Sequence, residues 1–215
     1  MTDEIDLPTA QIAKFVYEMG FLKQVKRSGW SLVGITDSET VAEHSFRTAL
    51  IGLILACEEG ADVARTALLC LLHDSQESRT GDIASVGRPY VTTTHNVDVT
   101  ADQTVGFPQN IASTLRELVE EYEAGETLEA KLAHEADKLE CVYQAREYQT
   151  QRAADTSQWI RTCSERITSG AGRRLLRAAI NLPPASWWQQ FQESYNRSGK
   201  SIHGRRGATD GDPST

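Results

Sequence analysis

Two strongly apolar stretches of the chain carry polar residues at positions where burial would penalise them. The first, VAEHSFR at residues 41–47, places His44 near the start of an apolar run; the second, LLHDSQE at residues 71–77, ends one in the adjacent pair His73 and Asp74. A buried carboxylate is costly unless a cation pairs with it, and an ionised Asp near a helix C-terminus also opposes the helix dipole. These misfits with local rules indicate function rather than stability.

Helical periodicity runs along most of the chain, and the sequence shows no strand pattern of any length. Thr40 and Glu43 form a TxxE capping box that opens a helix ending at Gly60. The predicted apolar stripe of this helix, from which His44 is offset, consists of Phe46, Leu50, Leu53, Ile54 and Cys57. Further helices are predicted at residues 8–24, from Asp62 through His73, from Pro108 to Gly125, and at 127–147, 155–168, 171–182 and 183–195. We therefore predict an all-α fold.

The length of 215 residues suits a single domain with a sizeable core, which we assign to residues 8–196. Residues 84–110 show little helical periodicity and are predicted to form a long ordered loop or lid after the third helix, with a short helix near Ala101–Thr104. Loops of this length in compact domains are usually functional or mobile. Residues 197–215 are polar and Gly-rich, which predicts a disordered tail.

Composition excludes several functional classes. The net charge of −8 argues against broad nucleic-acid binding, which needs clustered Lys and Arg. The acidic N-terminus lacks the apolar core of a signal peptide, and no apolar run reaches the ~18 residues of a membrane span, so we expect a cytoplasmic protein. The four cysteines contain no C-x-x-C pair and are predicted to be buried free thiols.

His44, His73 and Asp74, together with Asp137 from ADKLE at residues 136–140, offer two imidazoles and two carboxylates from three helices. Such a mixed N/O set predicts a site for one divalent transition-metal ion, and it suits Mn²⁺, Co²⁺, Fe²⁺ or Zn²⁺ without choosing among them. A divalent metal promotes phosphoester hydrolysis because it activates water and neutralises charge on the phosphoryl oxygens. Near such a metal, the Glu77 carboxylate can orient the attacking water, and Asp82 can carry a proton or hold a sugar hydroxyl.

The ordered motifs RSGW (27–30), VAEHS (41–45), HDSQESRTGDI (73–83) and ADKLE (136–140) resemble the HD-domain metal-dependent phosphohydrolase superfamily, and within it the 5′-deoxynucleotidase branch. The resemblance spans roughly residues 12–195 and implies a single-domain HD-type helical bundle that commonly pairs as a dimer. The metal ligands that it implies are His44, His73, Asp74 and Asp137. It also implies a catalytic role for Glu77, phosphate binding by Arg27, packing of Trp30 against the sugar or base, and recognition of the 3′ side of the deoxyribose by Asp82.

The main prediction is hydrolysis of a nucleoside 5′-monophosphate, a 2′-deoxynucleotide, by a homodimer or higher homo-oligomer. One alternative is an HD-domain nucleoside di- or triphosphate phosphohydrolase, in which Arg79 and Arg88 hold further phosphates rather than being surface charges. The segment after GDI at residues 81–83, RPYVTTTHNVD, differs from the charged helix of relatives and leaves substrate preference open. The sequence also leaves open a two-metal site that uses His95 and His134, and a catalytically silent nucleotide-binding domain.

Overall fold

The computed structural model describes residues 5–198, and all regular secondary structure in that range is helical apart from one isolated bridge between Lys26 and Thr40. The predicted all-α class is therefore confirmed. The α-helices are α1 Leu7–Phe21, α2 Val41–Glu59, α3 Val63–Leu72, α4 Glu77–Thr80, α5 Asn96–Gln103, α6 Gln109–Ala124, α7 Leu128–Arg152, α8 Ser157–Ser164, α9 Gly170–Asn181 and α10 Ser186–Ser198, and two 3₁₀ turns occupy Ser28–Val33 and Arg88–Tyr90.

The predicted capping signals fix the ends of α2 and the start of α3. The Thr40 side chain accepts a hydrogen bond from the backbone N–H of Glu43 at 3.2 Å, and the Glu43 carboxylate accepts one from the Thr40 N–H at 2.7 Å. Gly60 ends α2 in the left-handed region, at φ 74°. Asp62 then caps α3 through the backbone N–H of Arg65. These signals set the tight turn between α2, which carries His44, and α3, which ends at His73, so that the two helices pack antiparallel.

The predicted apolar stripe of α2 is on the wrong face. Phe46 and Leu50 are 64% and 47% exposed, and Cys57 is exposed, whereas the opposite face, which includes His44, packs against α3 and α7. Helix approach explains this choice of face, because a Cβ added at Gly52 would collide with the Cys70 thiol of α3. The helices therefore cross closely at Gly52, and His44, on the same buried face of α2, lies in the interior.

The main core lies between α2, α3, α6, α7 and α9, with α7 at its centre. Its largest fully buried apolar side chains are Leu55, Leu69, Leu132 and Leu139. A second apolar cluster at one end of α7 joins Trp30, Ile35, Ala145 and Tyr148. The candidate site residues lie where the first turn of α2, the end of α3 and the middle of α7 meet.

The predicted long loop is shorter than expected, because Asn96–Gln103 forms a regular helix. The helix contains Asn, Asp, Val and Thr residues, which are weak helix formers, and its Thr100 donates a side-chain hydrogen bond to the carbonyl of Asn96, four residues earlier. Tertiary contacts then hold the helix, since Gln76 donates to the Thr100 hydroxyl at 2.7 Å. The segment between α4 and α5 remains irregular apart from the 3₁₀ turn at Arg88–Tyr90.

Helix α10 extends to Ser198, two residues past the predicted end of the domain, and the remainder of the predicted tail, 199–215, lies outside the described residues. All four cysteines are free, as predicted, but Cys57 is exposed and Cys163 is only partly buried. Among the described residues, no helix is both long enough and apolar enough to span a membrane.

Candidate metal centre and active site

The imidazoles of His44 and His73 face each other in the interior, with their Nε2 atoms 3.3 Å apart. His44 is fully buried in the first turn of α2, and His73 caps the C-terminus of α3. The Nδ1 atom of His73 lies 2.6 Å from the Cys70 carbonyl oxygen, and that of His44 lies 2.5 Å from the Glu140 carboxylate. Both Nδ1 atoms therefore donate hydrogen bonds to these acceptors, and the two Nε2 atoms are the ring nitrogens that face each other.

Two carboxylates complete this cluster. Asp137 Oδ1 lies 3.3 Å from His44 Nε2, and Asp74 Oδ2 lies 3.1 Å from His73 Nε2 and 3.8 Å from His44 Nε2. Metal–ligand bonds of about 2.0–2.2 Å place neighbouring donors about 3.0–3.5 Å apart. Three of the four spacings, at 3.1–3.3 Å, match the edges of such a coordination polyhedron, and the fourth is longer at 3.8 Å, so the donor set fits a divalent ion. His44, His73 and Asp137 alone already form a buried cluster able to hold a metal ion.

The pKa values of His44 and Asp74 in this cluster are strongly shifted from their ordinary values. Burial alone would lower the pKa of His44, but the Glu140 and Asp137 carboxylates raise it to about 10. Burial would raise the pKa of Asp74, but His73 and Arg27 hold it well below its usual range. The metal-free cluster is thus held together by a proton on His44. Metal binding has to displace that proton, which couples metal affinity to pH.

Glu77 lies at the edge of this cluster, where a tight turn leads from α3 into α4. Asp74 lies within this turn and Glu77 is the first residue of α4, and both side chains line one cavity of about 280 Å³. Burial, reinforced by the carboxylates of Asp74 and Asp82, raises the pKa of Glu77 to about 9. Its Oε2 atom is buried without a hydrogen-bond partner. A carboxyl group in this state is suited to accept or deliver a proton.

Arg27 approaches the cluster from the segment before α2. Its Nη1 atom lies 2.9 Å from Asp74 Oδ2 and 3.2 Å from Asp82 Oδ1. The other oxygen of Asp82 accepts hydrogen bonds from the Ser28 backbone N–H at 2.5 Å and from its hydroxyl at 2.7 Å. Asp82 therefore fixes the Arg27–Ser28 backbone and aims the guanidinium at the metal cluster.

Trp30 is more deeply buried than a simple substrate contact would require, with 3% of its surface exposed. Its indole N–H donates to Glu39 at 2.9 Å, and its ring stacks on Trp159 with centroids 5.4 Å apart. Trp159 is only partly buried. Both rings line a cavity of about 380 Å³ that also contains Arg27, Asp82, Arg88, Lys138 and Arg166. The sequence interpretation did not include Trp159, because nothing in α8 links it to the upstream motifs.

Lys138 and Glu140 were also missed as individual residues, although the ADKLE motif contains both. Lys138 Nζ lies 2.6 Å from Asp137 Oδ2. Glu140 contacts His44 from the side opposite the ligand cluster. A spacing of three residues on one helix face places Glu140 next to Asp137, which is the signal that could have identified it.

Of the four residues invoked by the alternative functions, His95, His134 and Arg79 lie away from the cluster, and Arg88 lies beside it. His95 precedes α5, and His134 lies 2.9 Å from the Tyr122 carbonyl oxygen. Neither belongs to a candidate metal cluster within residues 5–198. Arg79 pairs with Glu18 of α1, which gives it a structural contact. Arg88 lines both cavities beside the cluster.

Comparisons with known proteins show which family this chain resembles. The HD domain family model matches residues 19–174. The chain is 32% identical over 140 residues to the 5′-deoxynucleotidase of Bos taurus, covering 64% of this chain and 68% of that protein. It is likewise 32% identical over 138 residues to the 5′-deoxynucleotidase of Danio rerio, covering 63% and 68%. A conserved hypothetical protein from Pyrococcus furiosus superposes with a TM-score of 0.65 at 26% identity, covering 79% of this chain and 99% of that structure.

Proposed function

The chain belongs to the HD domain family, and on that basis we propose that it is a metal-dependent phosphohydrolase that releases phosphate from nucleoside 5′-monophosphates, with 2′-deoxynucleotides as the preferred class. The observation that carries this proposal is the convergence of four N/O donors beside the unpartnered carboxyl group of Glu77. The 5′-deoxynucleotidase names of several relatives support the substrate class.

The proposed cofactor is one divalent transition-metal ion, Mn²⁺, Co²⁺, Fe²⁺ or Zn²⁺, held by His44, His73, Asp74 and Asp137. A divalent ion there polarises water and neutralises charge on the phosphoryl oxygens. The four protein ligands carry a formal charge of about −2 when both Asp side chains are ionised. With a divalent ion the centre is formally neutral, so it can accept an anionic phosphate.

The protein side chains supply the remaining contacts. Arg27 presents its guanidinium at the mouth of the cluster and would bind phosphoryl oxygens, and Lys138 offers a second cation beside Asp137. A divalent cation beside Glu77 would lower the pKa of its carboxyl group, and the ionised Glu77, whose Oε2 atom has no hydrogen-bond partner, would then take the proton of the attacking water. Asp82 holds Arg27 in place and lines the cavity in which the 3′ side of a deoxyribose would lie.

The nucleoside would occupy the cavity walled by the Trp30–Trp159 stack. In this arrangement Trp159 makes the direct contact, and Trp30 acts as its support from the core.

Replacing Trp159 by Ala should raise KM about tenfold, because stacking of a base on an aromatic ring contributes on the order of 1–3 kcal/mol. The measurement is steady-state phosphate release with deoxynucleoside monophosphates. Trp159→Phe should retain most of the affinity, and Trp188→Ala on α10 is a matched control; equal KM values in all variants would place the nucleoside elsewhere.

A second candidate substrate class is the nucleoside di- and triphosphates. Arg88 and Arg166 line the same cavity as Arg27, and within residues 5–198 no salt bridge is found for either. A catalytically silent domain is disfavoured because the chain retains all four proposed ligands and Glu77. The deciding experiment is a phosphate-release screen over deoxy- and ribonucleotide mono-, di- and triphosphates with Mn²⁺, Co²⁺ and Zn²⁺. Orthophosphate from monophosphates supports the main proposal; activity on di- or triphosphates alone supports the second, and none on any substrate supports the silent domain.

We further propose that the chain forms a homodimer through the exposed stripe of α2. Phe46, Leu50, Leu53 and Ile54 are each at least 38% exposed, and a neighbouring groove lined by Leu182 and Trp187 continues the apolar surface beyond Arg47. Contiguous apolar surface of this kind typically marks an association site, and a two-fold axis lets one patch serve both partners.

Leu50→Asp should weaken self-association at least about tenfold, because it places a charge in an apolar interface. Light scattering after size-exclusion chromatography over a range of concentrations measures the mass. Leu128→Asp changes a leucine of similar exposure at the start of α7 and should leave the mass unchanged. A wild-type monomer at every concentration would rule out the dimer.

The cytoplasm is the proposed compartment. Four free cysteines support a reducing environment. The net charge of −8 supports a small anionic substrate over a nucleic acid.

A further inference from the structure

A chain of hydrogen-bonded charged side chains, which the proposed chemistry does not use, begins at the Nδ1 atom of His44. Glu140, which is fully buried, accepts from His44 Nδ1 through Oε2 at 2.5 Å. Its other oxygen, Oε1, accepts from Arg47 Nε at 2.8 Å. Arg47 in turn binds Glu147 through Nη1, at 2.8 and 2.9 Å, and Gln144 through Nη2 at 2.6 Å.

The spacing of these residues shows how the chain is built. His44 and Arg47 are three residues apart on α2, and Glu140, Gln144 and Glu147 are spaced by four and three on α7. Residues so spaced share a face of their helix. The contact between α2 and α7 is therefore polar along this line, from the surface at Glu147 to the buried imidazole. A buried polar contact of this length is costly unless every member is satisfied, and here the hydrogen bonds satisfy both oxygens of Glu140.

Glu140 could instead be a ligand, since His44, Glu140 and Cys141 also lie close enough together to hold a metal ion. The contacts argue against this role. Both Glu140 oxygens are occupied, one by His44 Nδ1 and one by Arg47, so neither is free to bind a metal ion. The ligand edge of His44 is Nε2, which faces His73 and Asp137 on the other side of the ring.

We propose that Glu140 is a positioning residue for the metal centre. It fixes the ring orientation of His44 and accepts the hydrogen bond from Nδ1, so that Nε2 is the ring atom left to bind the metal, and Arg47 holds Glu140 in place. The Nδ1 atom of His73 is oriented in the same way by the backbone carbonyl of Cys70, which no side-chain substitution can remove. His44 is therefore the ligand whose orientation depends on a side chain. Such outer partners commonly change metal affinity by about 10–100-fold. This inference rests on the proposed metal-dependent function.

The test is direct metal binding to the full-length protein after metal removal, by calorimetry with Mn²⁺ and Zn²⁺ and by absorption with Co²⁺. Glu140→Gln should bind with unchanged stoichiometry but about 10–100-fold more weakly than wild type. Glu147→Gln is the matched control, because it removes an Arg47 partner on the same face without touching His44. Its affinity should stay within about twofold of wild type.

A second readout separates positioning from a general loss of stability. In the Zn²⁺-loaded protein the Nδ1–H proton of His44 should resonate far downfield because it donates to a carboxylate, and Glu140→Gln should move it upfield. The corresponding proton of His73 should not move, since its acceptor is the Cys70 carbonyl. If Glu140→Gln does not fold, Arg47→Gln provides the same comparison, with an affinity loss between those of Glu140→Gln and Glu147→Gln.

Wild-type affinity and an unshifted His44 resonance in the Glu140→Gln variant would overturn the inference while leaving the proposed function intact. A Co²⁺–thiolate absorption band that disappears in Cys141→Ser would also overturn it, because the His44, Glu140 and Cys141 group would then be the metal site. If wild type binds none of the three metals, the proposed function itself fails, and this inference fails with it.

Discussion

Replacing Glu77 by Ala should leave the metal content of the protein unchanged while lowering kcat about 10²–10⁴-fold, the usual contribution of a general acid or base. Glu77 lies beside Asp74 in the same cavity but outside the set of donors that converge on His44 and His73. Its Oε2 atom is buried without a partner. The residue is thus placed to handle a proton without holding the ion. Steady-state phosphate release and elemental analysis on the same samples measure both quantities.

Glu77→Gln is the control for folding, and the pH dependence of its stability should also differ from that of wild type. The folded carboxyl keeps its proton up to a pKa of about 9, whereas an unfolded one ionises near the ordinary value of 4.5. Between these values unfolding releases a proton, so the stability of the metal-free wild type falls as pH rises. The Gln variant lacks this loss, and its advantage in Tm should grow from about pH 5 to pH 9. Near wild-type kcat in either variant would remove Glu77 from the mechanism.

Asp137→Ala should abolish both metal binding and phosphate release. The carboxylate lies 3.3 Å from His44 Nε2 and 2.6 Å from Lys138 Nζ, so its loss removes one donor and leaves an ammonium group facing two imidazoles. Loss of a direct ligand should cost more than the 10–100-fold typical of an outer partner. Because a bound ion stabilises only the folded state, added Mn²⁺ or Co²⁺ should raise the Tm of wild type and leave that of the variant unchanged.

His95→Ala is the comparison for Asp137→Ala, since it removes the histidine that a two-metal centre would need. His95 precedes α5 and lies outside the candidate clusters of the described residues. This variant should keep one ion per chain and near wild-type activity. Two tightly bound ions in wild type, both lost in His95→Ala, would replace the single-metal site with a dinuclear one.

How much of this site was predictable depends on whether local or tertiary forces placed each residue. The ends of α2 and α3 followed from short-range signals, namely the Thr40–Glu43 capping box and the Asp62 cap, because capping involves neighbours in sequence. The buried face of α2 did not, since both faces are apolar. The choice depended on the close approach of Cys70 to Gly52, a contact between helices that periodicity does not encode.

Helix α5 and the position of Trp159 could not be predicted from the sequence either, because both depend on tertiary contacts. The sequence of α5 has weak helix propensity, and the helix is held by the hydrogen bond from Gln76 to Thr100, so tertiary context overrides the local preference. Trp159 comes far downstream of the motifs and meets Trp30 only after the chain turns back along α7. The family resemblance indicated Trp30 alone, whereas both Trp30 and its stacking partner Trp159 line the cavity.

Catalysis by one metal ion per chain can be tested by titrating the metal-free protein in the presence of a deoxynucleoside 5′-monophosphate, with phosphate release followed against the number of equivalents of Mn²⁺ or Co²⁺ added. A single-metal site predicts no release without metal, a linear rise that saturates at one equivalent per chain, and no rise in Asp137→Ala. Release that is independent of added metal, or that requires a second equivalent before it begins, would contradict a single-metal site.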